Sequence, residues 1–159
     1  MANNKFISNF SQFGRSMIEM IGVLAIIGVL SVGGIAGYSK AMTNYKINKC
    51  AEQLKNIQFG IMSLYENQKN YSGIDCISGA ESGCNVLKKL NIIPEEMWKN
   101  GKIVNAFGGK VSIKASDHNK QTSAAYTIVF EGLPPEAIIY FATQKSNIAN
   151  TEMLKIHIN

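Results

Sequence analysis

Few residues of this 159-residue sequence could do chemistry. His118 and His157 are the only histidines, and neither sits in a C-x-x-C or H-x-x-x-H frame, so the spacing speaks against zinc. Ser78 and Ser82 lack the G-x-S-x-G frame of an elbow nucleophile. His118 follows Asp117 in SDHNKQ, a polar run that reads as an exposed turn with no catalytic partner implied. Glu95 and Glu96 could act as paired carboxylates. Following Pro94, they read instead as first-turn helix acids favoured by the dipole. Lys110 follows two glycines but precedes a valine, and the upstream glycine spacing of a phosphate loop is missing. Trp98 reads as packing rather than as a ligand platform. No catalytic group, metal or cofactor is expected.

The cysteines say more. Three of them allow one bridge and one thiol left over. Cys76 and Cys84 enclose a short Gly/Ser loop, which favours a Cys76–Cys84 bridge with Cys50 buried as a small apolar residue. In the chain-entropy account, closing such a loop contributes roughly 2.5 kcal/mol. The competing arrangement joins Cys50 to one of the other two, tying the loop to a helix. Either bridge implies an oxidising compartment.

Glu19 is the remaining candidate, because it stands at the start of a long apolar run. Twenty uncharged residues separate it from Lys40. As a helix rising 1.5 Å per residue, that run spans about 30 Å, the thickness of a bilayer core. A carboxylate in its first turn costs roughly 2.5–3.5 kcal/mol on insertion scales, so it needs a partner or must snorkel to the interface. The preceding MANNKFISNFSQFG is polar and lacks the apolar core of a secretory signal. Ser31 to Gly37 could pass for a signal-cleavage region, so an ordinary signal peptide is the rival reading. The length of the run and the position of Glu19 count against it.

Composition narrows the class. Charged residues make up 17% and hydrophobic ones 46%, which excludes a disordered polyelectrolyte. The net charge of +5 comes from fifteen lysines and a single arginine, Arg15. Proteins that read DNA bases rely on bidentate arginine, so specific nucleic-acid recognition is not expected. The lysines read as a solvated surface with weak attraction for phosphates or anionic lipid. Tyr38 to Asn159 suits one small globular domain and is too short for two.

At the junction of leader and span, the residues resemble a known family. Gly14-Arg15-Ser16-Met17-Ile18-Glu19-Met20 is similar to the processing motif of type IV prepilins, where a glycine ends the leader and a glutamate is fifth in the mature chain. Ile21 to Leu30, and Tyr38 beyond it, are similar to the helix that comes next in pilins. The resemblance implies a leader over 1–14, cleaved between Gly14 and Arg15 by a membrane prepilin peptidase. It implies N-methylation of Arg15, a transmembrane and filament-core half-helix over 15–37, and a role in assembly for Glu19. It further implies a single-pass inner-membrane precursor with an extracytoplasmic head, in contact with lipid and an assembly platform. The end product would be an extracellular helical homopolymer, and its subunit no enzyme.

Two departures from the family pattern stand out. Such pilins usually begin with Phe, Met or Leu, where this chain has Arg15. The proline common near the helix end in the type IVa branch is absent, and Gly33, Gly34 and Gly37 look more like type IVb. Each glycine weakens a helix by about 1 kcal/mol relative to alanine, so this is where the helix could stretch or melt. The charge count also disagrees. Lys5 and Arg15 precede the span while Lys40, Lys46, Lys49 and Lys55 come after it, which alone favours a cytoplasmic head. The prepilin motif outweighs that count. A minor pilin or type II secretion pseudopilin would share this chemistry. A signal-anchored periplasmic binding domain that never polymerises is the alternative of a different class.

Beyond the span, Ile47, Cys50, Leu54, Ile57, Ile61 and Leu64 repeat at three-four spacing and form one apolar stripe. The helix is expected to run from about Ser16 to Gln68, weakened but not ended by Gly60, with a stop signal over 67–73. Ile74 to Lys110 reads as loops with a short helix near Ala80–Leu90. Val111–Ile113, Tyr126–Phe130 and a last stretch, Met153–Ile158, read as strands. Pro134-Pro135-Glu136 opens a helix through Ala142. A long helix packed on a small antiparallel sheet is an α+β architecture, which over 38–159 would supply the head of the pilin fold. Asn105-Ala-Phe-Gly-Gly-Lys-Val111 is similar to the segment entering the sheet in type IVb pilins, and Phe130-Glu-Gly-Leu-Pro134 also looks like that branch.

Overall fold

The computed structural model describes residues 7–77 and 82–143. The chain divides into two units, Met1–Asn44 and Tyr45–Asn159. Helix α1, Ile7–Tyr65, contributes to both. In the first unit it is the whole of the described structure, and it passes through Gly33, Gly34 and Gly37 without a break. The expected weakening is therefore not a melted turn here. The helix also begins earlier than expected, at Ile7, inside the stretch expected to be a leader.

In the second unit, the predicted stripe is the spine of the core. Ile47, Cys50, Leu54, Ile57 and Ile61 are all buried, and Leu64 is partly so. Two apolar clusters form along it. Ile47, Cys50, Ala51 and Leu54 pack with Ala137 and Phe141 of α3, Pro135–Thr143. Ile57 and Ile61 pack with Ile74, Leu87 of α2 (Ser82–Lys89), Ile93, Met97, Ile103, Val111 and Ile113. Gly60 has a packing reason to be glycine. A Cβ there would come within 2.6 Å of Ile92 Cγ2, so the absent side chain lets the segment after α2 close onto α1.

Among the described residues, the head also has two antiparallel hairpins. The first joins β1, Trp98–Lys99, to β2, Lys102–Ile103, through Asn100 and Gly101, which have φ of 51° and 75°. Positive φ at both central residues is the requirement of a type I′ turn, and Asn-Gly meets it at least steric cost. The second joins β3, Val111–His118, to β4, Gln121–Phe130. Both strands run well beyond the stretches expected from sequence. The turn is Asn119-Lys120, also at positive φ, and His118 closes β3 rather than lying in the turn. The register slips between Ser116 and His118, where Asp117 Oδ1 accepts the Ser123 backbone N–H at 2.8 Å. The expected strand Met153–Ile158 lies outside the described residues.

The Asn105–Val111 segment forms a corner held by one buried side chain. Asn105 Nδ2 donates to the Glu131 carbonyl at 2.8 Å, and its Oδ1 accepts from the Phe107 and Gly109 N–H groups at 2.9 and 3.0 Å. Three hydrogen bonds satisfy an amide that is 3% exposed, so burying it is not a penalty. Gly109 lies against the Glu131 carbonyl, where a Cβ would clash. The corner thereby fixes the entry to β3 against the exit from β4.

Candidate functional site: processing junction and apolar helix

Gly14, Arg15 and Glu19 all fall on α1. Glu19 is exposed, four residues on from Arg15. From Met17 to Ile35 every large apolar side chain is between 52% and 75% exposed. That degree of exposure is the decisive number, since soluble monomers do not leave a continuous apolar surface uncovered. The stretch is long and apolar enough to cross a membrane. A Cβ at Gly22, Gly28, Gly33, Gly34 or Gly37 would meet nothing within 4 Å, so no part of the described chain uses these gaps. The hydroxyl within the run is already satisfied: Ser31 Oγ donates to the Ile27 carbonyl at 2.7 Å. A hydroxyl bonded back to its own helix suits an apolar surrounding.

The structure joins two of the three cysteines. Cys76 and Cys84 form a disulfide with their Cα atoms 4.7 Å apart. Cys76 also exchanges both backbone hydrogen bonds with Ile113, each at 2.8 Å, so the bridge staples the start of α2 to the outer edge of β3. Residues 78–81 of the enclosed loop lie outside the described residues. Cys50 sits in the other cluster, free and fully buried, and the competing pairing is not formed. Burial pushes its thiol above the ordinary range, against the lesser pull of backbone hydrogen bonds from Ala106 and Phe107. Since the thiolate is the reactive form, Cys50 is inert in the folded head. Iodoacetamide is expected to modify it in the denatured chain and to leave it unmodified in the native one, as peptide mass mapping will show.

Glu96 does more than its place in the short 3-10 turn Glu95–Met97 suggested. Its carboxylate takes the Lys49 ammonium at 2.6 Å and the Gln53 amide at 3.3 Å. The hydrogen bond from Lys49, then that from Gln53, holds Glu96 below the usual carboxylate range, and Lys49 is raised in turn, first by the same bond. A carboxyl depressed on folding stabilises above its unfolded pKa and stops doing so as the pH falls through its folded value. A raised amine stabilises below its unfolded pKa and stops as the pH rises through its folded value. The pair therefore favours the folded head between those limits, and weakly, because both groups are well solvated. A pairing across 47 residues leaves no trace in sequence spacing. Trp98 is half-buried with Lys88 Nζ 5.1 Å from its ring centre, a packing role as expected.

Comparison with known proteins bears on the second unit above all. A family model described as PilS N terminal matches residues 44–159. The chain belongs to this family of type IV pilins. The toxin coregulated pilin of Vibrio cholerae serotype O1 is 27% identical over 122 residues, 77% of this chain and 53% of the relative. A second toxin coregulated pilin of Vibrio cholerae is 28% identical over 123 residues, with the same shares covered. The chain thus spans about half the length of the curated relatives it matches. No solved structure matches it. The pilin resemblance first seen at residues 14–38 is therefore supported by a match that begins after that segment. For the pilin head, the α+β architecture is as expected from the sequence.

Proposed function

We propose that this pilin is the structural subunit of a type IV pilus-like filament, of the type IVb kind, and not an enzyme. Prepilin peptidase cleaves between Gly14 and Arg15, and the new amine on Arg15 is methylated. The processed subunit waits in the inner membrane with its head outside the cytoplasm. An inner-membrane assembly platform then feeds it into a helical homopolymer that leaves the cell. The observation that carries this reading is the uncovered apolar stretch Met17–Ile35, directly after a glycine and glutamate at prepilin spacing. Such a surface needs lipid before assembly and neighbouring helices after it. The gaps at its glycines are places where backbones of neighbouring helices approach closely, as small residues allow in membrane helix packing.

Intact mass of the membrane-extracted protein tests the first step. A chain beginning at a methylated Arg15 is the expected result, and one beginning at Met1 or near Ser39 overturns it. Gly14→Val is expected to leave the precursor uncut, because a site built for no side chain excludes an isopropyl group. Abundance in sheared filaments separates a major subunit from a minor pilin or pseudopilin.

A further inference from the structure

Strand β4 has an edge that no described strand pairs. Its register with β3 tells which backbone groups lie there. Ile113 exchanges both of its backbone hydrogen bonds with Cys76, on the far side of β3. The Ala115 N–H is likewise taken by Asp75 Oδ1, at 2.8 Å. Ile128 stands opposite Ile113, and Tyr126 opposite Ala115. In an antiparallel ladder, opposite residues turn their N–H and C=O groups either both toward each other or both away. Those of Tyr126 and Ile128 therefore point away from β3. One step beyond the Val111–Phe130 pair, the Glu131 N–H donates to the Lys110 carbonyl at 2.9 Å, which puts Phe130 in the same outward set. Among the described residues, none of these three has a backbone partner. Between Tyr126 and Phe130 there is no charge, proline or register shift, the usual devices that blunt an open edge. The same three residues line one face of β4 and pack on the core, yet each is only partly buried.

The sequence holds a segment that matches this edge. Residues 144–159 lie outside the described residues. Within them Leu154, Ile156 and Ile158 alternate with Met153, Lys155 and His157. A strand laid beside β4 would set one of these alternate sets next to Tyr126, Ile128 and Phe130, and the other toward solvent. The apolar set suits the core side, and Lys155 and His157 suit the wet one. A slip by one residue would turn Lys155 onto the core, so the pattern specifies a register. The segment can also reach. Helix α3 opens five residues after Phe130 and has nine residues, so its end lies within about 30 Å of Phe130. The eleven chain steps from Thr143 to Leu154 span up to about 36 Å. Because the segment is tethered, its effective concentration at the edge is in the mM range, above that of any free partner.

We propose that the open edge of β4 is the docking site of the chain's own segment Met153–Ile158, added as a further strand with Leu154, Ile156 and Ile158 over the core. Main-chain hydrogen bonds hold it, and the alternate side chains choose its face. The contact lies within one head and stands whether or not the chain polymerises. It also denies the edge to other chains, so that neighbouring heads meet through side chains and not by pairing backbones.

Hydrogen exchange of the 15N-labelled full chain in detergent tests this residue by residue. The Thr127 and Val129 amides face β3 and are held by it, whereas those of Tyr126, Ile128 and Phe130 are held only if a strand docks. Protection of all five is the expected result. Ile156→Asp sets a charge on the covered face, and should lower protection at Tyr126, Ile128 and Phe130 about tenfold or more while Thr127 and Val129 keep theirs. Lys155→Gln, on the solvent side, should change none of the five. Free exchange of Tyr126 and Ile128 in the parent chain would overturn the proposal. Equal losses at all five in Ile156→Asp would make the segment a general stabiliser of the head, and overturn it as an edge strand. Equal losses from Lys155→Gln and Ile156→Asp would refute the assigned faces. Protection that vanishes as the protein is diluted would give the edge to a second copy and overturn the assignment to the chain's own segment.

Discussion

A strain whose only copy carries Glu19→Ala is expected to process the chain normally at Gly14, to accumulate it in the membrane, and to shed about tenfold fewer filaments or less. The reason is electrostatic. The proposed cleavage after Gly14 would free an amine on Arg15, one turn before Glu19. Once apolar helices bundle, an ionised group within them is costly, and an opposite charge from a neighbour offsets part of that cost. Deleting one partner leaves the other uncompensated, at about 3–5 kcal/mol where the pair is fully buried. The same amine could serve Glu19 within its own helix, but that contact would specify nothing about a neighbour. Only a staggered neighbour makes the pair a register device. The Arg15 guanidinium is a second cation at the same place, so Arg15→Ala should lower the yield less than Glu19→Ala does. Sheared-filament yield against the membrane pool is the measurement, with the N-terminal mass as the processing control. Normal yield from Glu19→Ala would return Glu19 to a side chain that merely snorkels to the interface.

The second large effect is expected in the head. Gly109→Ala should destabilise it by about 3 kcal/mol or more, a large part of the 5–15 kcal/mol typical of a whole domain. The new Cβ would run into the Glu131 carbonyl, with the carbonyl carbon only 2.6 Å away. Both are backbone atoms of a paired segment and have nowhere to go. Any retreat also stretches the Asn105 bond to the same carbonyl. Trp98 is the only tryptophan, so its fluorescence in a urea titration of the detergent-extracted chain reads the head. At the usual slope of 1–3 kcal/mol per molar urea, the midpoint should fall by about 1–3 M. Gly28→Ala, which meets nothing within 4 Å, is the control and should leave the midpoint where it was.

The range of each signal decided how much of the fold was legible in the sequence. The buried stripe on α1 could be read because helical periodicity repeats over many residues and averages out exceptions. Pro134 and Pro135 marked α3 because proline acts locally. The strands run beyond their apolar alternation. Lys114 and Ser116 on β3 carry no apolar alternation, yet cross-strand pairing with β4 extends through them and resumes at His118. Asn119-Lys120 lacks the glycine that advertises such a turn. Asn100-Gly101 did advertise one, but its flanking strands have two residues each, too few for a pattern to show. The contacts of Glu96 left no trace in the sequence because Lys49 and Gln53 meet it only through the fold.

The two apolar clusters along α1 have a consequence for how the head comes apart. Among the described residues, the one under α3 contains six buried residues and no covalent link. The other contains eleven, including both halves of the disulfide. Ile128 and Phe130 of β4 touch both, as partly buried neighbours. Free energies of local opening follow buried contacts and cross-links, so the two should not open together. Helix α3 can lift from α1 while the hairpins and the stapled loop stay closed. The head would then behave as a hinged cover over a fixed body, yielding first on the side of α3 when pulled, heated or jostled by a neighbour.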